Sequence, residues 1–354
     1  MSTQATHCLT LDSEVPTLKL MADMTKRERV EGAVRGDAVD RVPVSFWGHD
    51  YIREWASEDT AAATLEFYER WDLDLVKVNP RATYYMEAWG CQVQPSDDPA
   101  EGPTITSCGV DVAADLLYVD IVDPAAGAFA EQLSALQLIG EGLSGGAPFI
   151  QTVFSPLSVL GRITEGGAQK VKEFMEEDSA AVHQALDAIA ETLAAYARTC
   201  VEVGADGIFY ATVEWGTRNL MTSEAYLEYG RPYDLRVLAA VRGAPLNVLH
   251  VCRSNNLLEM MLDYPVHALN WDIHAAGNPG LGDIRERSNK GVIGGIGQEQ
   301  PMKTGSADEV SSQAREALDE TGGRAFILSA GCSISPQTPA ENIEAALAVA
   351  RSLA

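Results

Sequence analysis

Long apolar runs, a surplus of basic residues and a closely spaced cysteine framework are all missing from this 354-residue sequence. No apolar run reaches the length of about 18 residues that a membrane-spanning helix needs, so the sequence predicts no membrane span. Lys and Arg number 26 against 51 Asp and Glu, and the net charge of −25 argues against a nucleic-acid-binding surface. The six cysteines are scattered along the chain, which excludes the disulfide scaffold of small secreted proteins.

The N-terminal segment lacks a basic stretch followed by an apolar core, so it does not have the pattern of a secretory signal. Together with the scattered cysteines, this predicts a cytoplasmic protein with reduced thiols. We interpret residues 1–22 as an N-terminal extension, because they contain Pro16 and show no sustained hydrophobic period. A helix is predicted to begin after Thr25, because Thr25 and Glu28 have the spacing of a capping box.

Short apolar segments recur along the rest of the chain, and polar or helical stretches separate them. Several are apolar on both faces, as parallel strands covered by helices are. The predicted strands are 42–46, 73–78, 147–154, 205–212, 246–251, 267–271, 291–296 and 324–330. The predicted helices are 168–203, 222–242, 255–263, 307–321 and 340–353. This alternation predicts an α/β fold, a (β/α)8 or TIM barrel forming one domain over 23–354, with a doubly wound sheet as the alternative.

The stretch 80–146 is longer than one helix requires, and it contains its own Pro, Gly and Asp clusters. We therefore predict a lid-like insertion on the barrel here, rather than a second domain.

In a barrel of this kind the active site lies at the carboxyl ends of the strands. Polar and metal-binding residue types concentrate at the predicted ends, namely Trp47, His49, Asn79, Glu214, His250, Cys252, Asp272, His274, Gln298 and Cys332. His250 and Cys252 are two residues apart in a strand, so they point to the same face. With Cys332 they make a three-ligand set of the kind that holds catalytic zinc with one open position. The alternative is that they are ordinary buried core cysteines beside a histidine.

The sequence resembles the uroporphyrinogen decarboxylase superfamily, from MTKRERVEGAVRGDAVDRVPV near the N-terminus to FILSAGCSISPQTPAENIEAAL near the C-terminus. Within it, the His-x-Cys … Cys pattern of His250, Cys252 and Cys332 is similar to that of the zinc-dependent corrinoid methyltransferase branch, which includes the methylcobamide:coenzyme M methyltransferases. The resemblance implies zinc on these three residues, with Asp272, His274 or substrate as the fourth ligand. The family usually has Gly after the first Cys, whereas this chain has Arg253.

The function that the resemblance implies is methyl transfer between a corrinoid, carried on a partner protein, and a small substrate, foremost a zinc-activated thiol. The opposite direction stays open, with a demethylase moving methyl from an ether, amine or sulfur compound to a corrinoid protein. Asp272 and Glu214 are the candidate catalytic carboxylates. Gln298, Asn79 and Trp47 are the candidate cofactor-binding residues. A homodimer is compatible with a barrel enzyme of this size.

Two further functional classes remain as alternatives. A decarboxylase of this superfamily would grip substrate carboxylates with an arginine-rich N-terminal segment, and the matching stretch PVSFWGHDY (43–51) contains no arginine. The second class is a binder of metal or corrinoid that has kept the ligands and lost turnover. A lyase would keep its activity without Cys252 and Cys332, whereas the methyltransferase would not.

Overall fold

The computed structural model describes residues 23–352, so the predicted extension 1–22 lies outside the described residues. The helices of this range are α1 Lys26–Arg35, α2 Ser57–Trp71, α3 Tyr84–Glu87, α4 Gly127–Leu143, α5 Pro156–Ile163, α6 Gly167–Glu177, α7 Ser179–Glu202, α8 Ser223–Tyr229, α9 Arg231–Ala240, α10 Leu281–Arg287, α11 Ala307–Thr321 and α12 Ala340–Arg351. The strands are β1 Val76–Val78, β2 Gln92–Gln94, β3 Thr104–Ser107, β4 Phe149–Phe154, β5 Gly207–Ala211, β6 Val248–His250, β7 Ala268–Asn270, β8 Gly291–Ile296 and β9 Phe326–Ala330. Two 3₁₀ segments are Ala113–Tyr118 and Leu258–Met261.

Seven strands form one parallel sheet in the order β1-β4-β5-β6-β7-β8-β9. Crossover connections join successive strands, as parallel pairing requires, and each contains an α-helix except that between β6 and β7, which has a 3₁₀ segment. The sheet confirms the prediction of an α/β fold and is consistent with a TIM-barrel-like arrangement. Seven of the eight predicted strands are present in the described residues, each shorter than or as long as predicted.

The remaining predicted strand, 42–46, comes first in the chain. It is reduced to a single bridge between Val44 and Leu328 of β9. On its other side the carbonyl of Val44 accepts a hydrogen bond from the Asp74 amide, at 2.9 Å, just before β1. The segment therefore lies between β9 and the chain that leads into β1. Pro43 explains why its pairing is so short, because proline has no N–H to donate to a ladder.

Alternate residues of the strands pack into two separate hydrophobic clusters. One cluster lies inside the curled sheet and includes Leu75, Phe209 and Val248. The other lies between the sheet and its helices and includes Tyr210 and Leu249. Because His250 is two residues after Val248, it belongs to the inner face. The alternation of side chains along β6 thus places His250, the last residue of this strand, inside the curled sheet.

The helices begin and end largely where their caps predict. Thr25 caps α1 with the reciprocal Glu28 bond of a capping box, and α11 spans the predicted residues. The predicted helix 168–203 is divided in two, because Asp178 ends α6 and caps α7 by accepting from the Ala181 amide. The predicted helix 255–263 is wrong, since only a short 3₁₀ segment forms there.

The stretch 80–146 contains α3, an antiparallel β2–β3 hairpin, a 3₁₀ segment and α4. Helix α4 packs against α2 and is the connection between β1 and β4, so it belongs to the α/β repeat itself. The added structure is therefore smaller than the sequence suggested, and its role as a lid stays a prediction. None of the helices in residues 23–352 has the length and hydropathy needed to cross a membrane.

Candidate metal centre

Three soft ligand atoms converge at the inner edge of the sheet. His250 Nε2, Cys252 Sγ and Cys332 Sγ all lie within 4.8 Å of one another. The imidazole nitrogen is 2.7 Å from the Cys252 sulfur and 3.5 Å from the Cys332 sulfur. Within residues 23–352 this is the one group of three or more His, Cys, Asp or Glu residues that is close enough to share a metal ion.

The two strand ends that carry these ligands are held in place by local packing. His250 is the last residue of β6, and its ring stacks on Phe209 with centroids 5.1 Å apart. Cys332 follows β9 through Gly331, whose amide donates to the Ile296 carbonyl at 2.9 Å. A Cβ on residue 331 would lie 2.5 Å from the Asp272 Cα, so only glycine permits this approach. The glycine next to Cys332 therefore sets how closely this ligand loop packs on the chain after β7.

Arg253 occupies a backbone conformation that usually belongs to glycine. Its φ of 72° lies in the left-handed region, directly after the ligand Cys252. Its carbonyl accepts a hydrogen bond of 2.9 Å from Asn278 Nδ2, which also donates to the Asp272 carbonyl. The conformation gives a physical reason for the glycine that relatives were expected to have here. The Arg253 side chain itself is exposed.

The donor set fits zinc by its chemistry and by its spacing. A tetrahedral zinc with one nitrogen and two sulfur ligands places nitrogen and sulfur about 3.5 Å apart. The His250–Cys332 distance already has this value, whereas Cys252 lies closer and would have to move outward by less than about 1 Å. Thiolate ligands also favour zinc over magnesium or calcium.

The two thiols of the cluster differ in the direction in which their pKa values are shifted. The hydrogen bond from Cys252 and the neighbouring His250 hold the pKa of Cys332 well below its usual range. The same pairing, together with burial, raises the pKa of Cys252. A coordinating metal would deprotonate both.

The second nitrogen of His250 is unusual for a metal ligand. Nδ1 is buried and has no hydrogen-bond partner among the described residues. Metal-bound histidines ordinarily donate this N–H to a carboxylate, a carbonyl or water. The stacked Phe209 ring therefore supplies the orientation that a hydrogen bond would normally give.

Asp272 lies close to the ligand loop but is already engaged. Its carboxylate accepts from the His274 amide at 2.9 Å and from Gln298 Nε2 at 3.1 Å. It does not belong to the group of ligand atoms within 4.8 Å of one another. Gln298 thus orients Asp272, which is a contact that the sequence did not predict.

His274 is a poor candidate for a metal ligand in this arrangement. Its Nε2 lies 3.1 Å from the Gly295 carbonyl, so this nitrogen is the donor of a hydrogen bond. Residues 272–277 read Asp-x-His-x-x-Gly, which is also the spacing of a corrinoid-binding segment, so the expectation that this chain has no segment with that spacing is wrong. Because the hydrogen bond occupies Nε2, the spacing alone does not make His274 a cobalt ligand.

Glu214 forms a two-pronged ion pair with Arg162, with N–O distances of 3.1 and 3.2 Å. The residue before it, Val213, has a φ of 45°, which is strained for a β-branched side chain. Such strain is concentrated at functional sites, so it is a reason to include the residues after β5 in the candidate site. Both oxygens of Glu214 are nevertheless already paired.

Asn79 and Trp47 line a cavity of about 420 Å³, whose lining also includes residues of α2 and α12 but none of the three candidate metal ligands. His49, a further residue of this lining, is hydrogen-bonded to the buried Glu54 at 2.9 Å. Lys77 also lines it, and its ammonium donates to Asn79 Oδ1. Sequence analysis missed Lys77 as a site residue. Its position two residues before Asn79, on the same strand face, was the available signal.

Most of the aromatic residues near the strand ends serve packing. Tyr84 and Trp215 are fully buried in the outer cluster, and Tyr85 packs on Phe154 with centroids 4.2 Å apart. Trp47 packs edge-on against Phe209, with centroids 5.2 Å apart. Among these, Trp47 is the aromatic that borders both the cavity and the ring under His250.

Comparison with known proteins gives consistent results. The sequence profile described as Uroporphyrinogen decarboxylase (URO-D) matches residues 25–353. A methylcobamide:CoM methyltransferase, MtaA, of Methanosarcina barkeri is 28% identical over 356 residues, covering 93% of this chain and 98% of the relative. A uroporphyrinogen decarboxylase of Methylococcus capsulatus is 26% identical over 294 residues, covering 80% of each chain. A solved methyltransferase structure from Methanosarcina mazei superposes with a TM-score of 0.80 at 22% identity, over 93% of this chain and 99% of that one.

Proposed function

Because this chain belongs to the uroporphyrinogen decarboxylase (URO-D) family, we propose that it works as one of the family's methyltransferases rather than as a decarboxylase. It would move a methyl group between a corrinoid, carried on a partner protein, and a small substrate. Full-length similarity to methylcobamide:CoM methyltransferases supports methyltransferase activity. The observation that carries the proposal is the cluster of His250, Cys252 and Cys332.

Zinc would be held by His250 Nε2 and the two thiolates, and when bound it would lower the pKa of a substrate thiol, so that thiolate is available at neutral pH. Two thiolate ligands cancel the charge of a divalent ion, so a bound substrate sulfur stays electron-rich. The stacking of Phe209 fixes the imidazole that carries the nitrogen ligand. Burial of His250 limits the access of water to this side of the site.

The remaining site residues have roles that follow from their contacts. Asp272 is held by Gln298 beside Gly331. It is our candidate for the carboxylate that accepts the thiol proton, or that occupies the fourth zinc position until the substrate replaces it. Glu214 and Arg162 form an ion pair near Cys252. Trp47, Asn79 and Gln298 stay our candidates for contacts with the corrinoid.

The decarboxylase alternative is disfavoured by the pairing of Arg53, which lines the cavity. Arg53, which lies nearest in sequence to the arginine-free stretch, pairs with Asp50 at 2.8 Å and with Glu66 at 2.8 Å. Both guanidinium edges are thus already used. A substrate with many carboxylates would need unpaired positive charge.

Zinc content tests the proposal directly. We expect about one zinc per chain in the wild type, and its loss in Cys252→Ser and Cys332→Ser, because a two-ligand site binds zinc weakly. Cys108→Ser is the matched control, since this half-buried cysteine lies outside the cluster.

The same proteins should differ in thiol-dependent demethylation of methylcobalamin, followed by its absorbance. Wild type and Cys108→Ser should be active with coenzyme M or another small thiol, and the two cluster variants inactive. Methyl transfer that needs no zinc, or an unchanged rate in Cys332→Ser, would contradict the proposed mechanism. Transfer from methylated compounds to cob(I)alamin, without thiol-dependent demethylation, would favour the demethylase direction instead.

A further inference from the structure

Two cysteines outside the metal centre lie opposite each other at the base of the β2–β3 hairpin. Gln92 pairs with Ser107 in the antiparallel ladder, so the next residues outward, Cys91 and Cys108, continue the same register. Residues directly opposite each other in an antiparallel pair have Cα atoms about 4.5 to 5.5 Å apart. A disulfide needs roughly 4.4 to 6.8 Å between the two Cα atoms, so this register suits one.

Close backbone packing holds the two cysteines in this arrangement. A Cβ on Gly109 would lie 2.3 Å from the Trp89 carbonyl oxygen, so only glycine permits the approach of these two chain segments. The Gly109 amide also donates a hydrogen bond to the Cys91 thiol. The Cys91 and Cys108 thiols interact through a further hydrogen bond. The two sulfur atoms therefore lie side by side.

The surroundings of this pair differ from those of the other cysteines in residues 23–352. Cys91 is buried and Cys108 is half-buried, so a soluble reagent reaches the pair through Cys108. Cys200 is fully buried in the outer cluster, and Cys252 and Cys332 belong to the metal centre. Among the described cysteines, Cys91 and Cys108 are therefore the pair that is available for thiol chemistry apart from the metal.

The reduced form of this pair gains no stability as a thiolate. Burial raises the pKa of Cys108 to about 12, and the neighbouring Cys91 and Glu165 act in the same direction. Burial likewise raises the pKa of Cys91. Because the thiolate is the attacking species, such a pair forms a disulfide slowly. Because the thiolate form is not stabilised, the disulfide resists reduction once it has formed.

The base of the hairpin also contacts the end of α5. The Cys108 thiol lies 3.8 Å from the Arg162 carbonyl oxygen, and the Val110 amide donates to the Ile163 carbonyl at 3.0 Å. The Arg162 side chain in turn pairs with Glu214, a candidate site residue. A covalent link at the base of the hairpin would therefore fix the hairpin where it meets α5, beside the candidate site.

We propose that Cys91 and Cys108 form a reversible disulfide, a redox modification site that is separate from the metal cysteines. The oxidant is a small-molecule disulfide, RSSR. The Cys108 thiolate attacks one sulfur of RSSR, which forms a mixed disulfide and releases a thiolate that takes up the proton. The Cys91 sulfur then displaces the second RS group from Cys108. The two protein thiols thus lose two electrons and two protons, and RSSR becomes two RSH.

Disulfide mapping tests the proposal. Zinc-loaded protein is incubated with rising ratios of oxidised to reduced glutathione, alkylated, digested without reductant and analysed by mass spectrometry. We expect linked peptides that contain Cys91 and Cys108, an unchanged zinc content, and loss of the link on adding dithiothreitol. With oxidised glutathione alone, the link should form roughly tenfold faster at pH 8 than at pH 7, because the thiolate fraction rises with pH below the pKa.

Single variants identify the thiols that react. Cys91→Ser and Cys108→Ser should each lose the link, whereas Cys200→Ala, which removes a buried thiol elsewhere, should keep it. Cys108→Ser, at the half-buried position, gives the result if Cys91→Ser does not fold. The thermal midpoint of the oxidised wild type should rise by a few degrees, because the link restricts the unfolded chain. Neither serine variant should show this rise.

Three outcomes would overturn the assignment. The first is a pair that stays open to alkylation at the highest proportion of oxidised glutathione. The second is a reaction that stops at a mixed disulfide between Cys108 and glutathione, since Cys91 could then not reach it. The third is a link between Cys252 and Cys332 with loss of zinc, because the metal cysteines would then be the redox-sensitive pair.

Discussion

At the scale of single residues, the site depends on a few positions where backbone geometry decides which side chain is allowed. Gly331 packs so closely on Asp272 that a side chain there would displace the loop carrying Cys332. Arg253 shows the opposite case, because a bulky residue occupies a left-handed conformation directly after Cys252. The sequence indicated that Arg253 departs from the family pattern. It could not give the dihedral angle that explains why.

The strain at Arg253 can be measured. A left-handed conformation costs a residue with a Cβ roughly 1 kcal/mol more than it costs glycine. We therefore expect Arg253→Gly to be more stable than Arg253→Ala by roughly 1 kcal/mol in urea denaturation. The alanine variant is the matched control, because it loses the same side chain and keeps the strain. Equal stability of the two variants would mean that the left-handed conformation carries no cost here.

At the scale of elements, buried polar anchors hold the helices onto the outer face of the sheet. Asp234 of α9 is fully buried and accepts hydrogen bonds from the hydroxyls of Tyr210, Tyr226 and Tyr264, at 2.6 to 2.8 Å. These residues come from β5, α8 and the segment before β7. One carboxylate therefore joins three neighbouring pieces of the fold. Its burial raises its pKa to about 6, even though the three hydroxyls act in the opposite direction.

The pKa of Asp234 predicts a pH dependence of stability with a defined sign. Because the folded state holds this proton more tightly, the contribution is fully present below about pH 4 and is lost as the pH rises through about 6. We expect the wild type to gain roughly 1 kcal/mol relative to Asp234→Asn between pH 7 and pH 5. Relative to Asp263→Asn the wild type should show no such gain, because the ion pair with Arg231 lowers the pKa of Asp263. Parallel denaturation curves for the three proteins at both pH values make the measurement.

Periodicity and caps predicted most elements, and the failures have physical causes. The Thr25 capping box and helix α11 were predicted correctly because local side-chain bonds determine them. The stretch 168–203 was predicted as one long helix because its apolar period continues through Asp178. The Asp178 side chain instead caps a new helix by accepting a hydrogen bond from the Ala181 amide, which divides the stretch in two. Lys77 was missed because its importance comes from Phe209 and His250, which are distant in sequence.

At the scale of the whole molecule, the three candidate metal ligands come from distant parts of the sheet. His250 and Cys252 come from the end of β6, whereas Cys332 follows β9, three strands away in the sheet order. The sequence predicted this convergence from the rule that parallel strands share one carboxyl edge. It did not predict the short contact between Cys252 Sγ and His250 Nε2 or the unpaired nitrogen of His250.

A metal that binds all three ligands should therefore stabilise the fold as a whole. Ligands that bind only the folded state raise its stability by mass action, by about 2.7 kcal/mol at 100 times the dissociation constant. We expect the thermal midpoint to fall when a chelator removes zinc, and to recover when zinc is added back. Cys332→Ser should show little change in either step, whereas Cys108→Ser should behave like the wild type. A midpoint that ignores both chelator and zinc would contradict a metal site across these strands.

Val44 pairs with β9 through a single bridge, so the strands that carry the candidate metal ligands differ in how well their neighbours hold them. Leu328, in the strand that leads to Cys332, is bonded on one side to β8 and on the other only to a segment interrupted by Pro43. Strand β6 has full neighbours on both sides. From this difference in pairing we expect small openings of the structure to displace Cys332 before His250 and Cys252. Exchange of a bound group would then begin at the loop after β9.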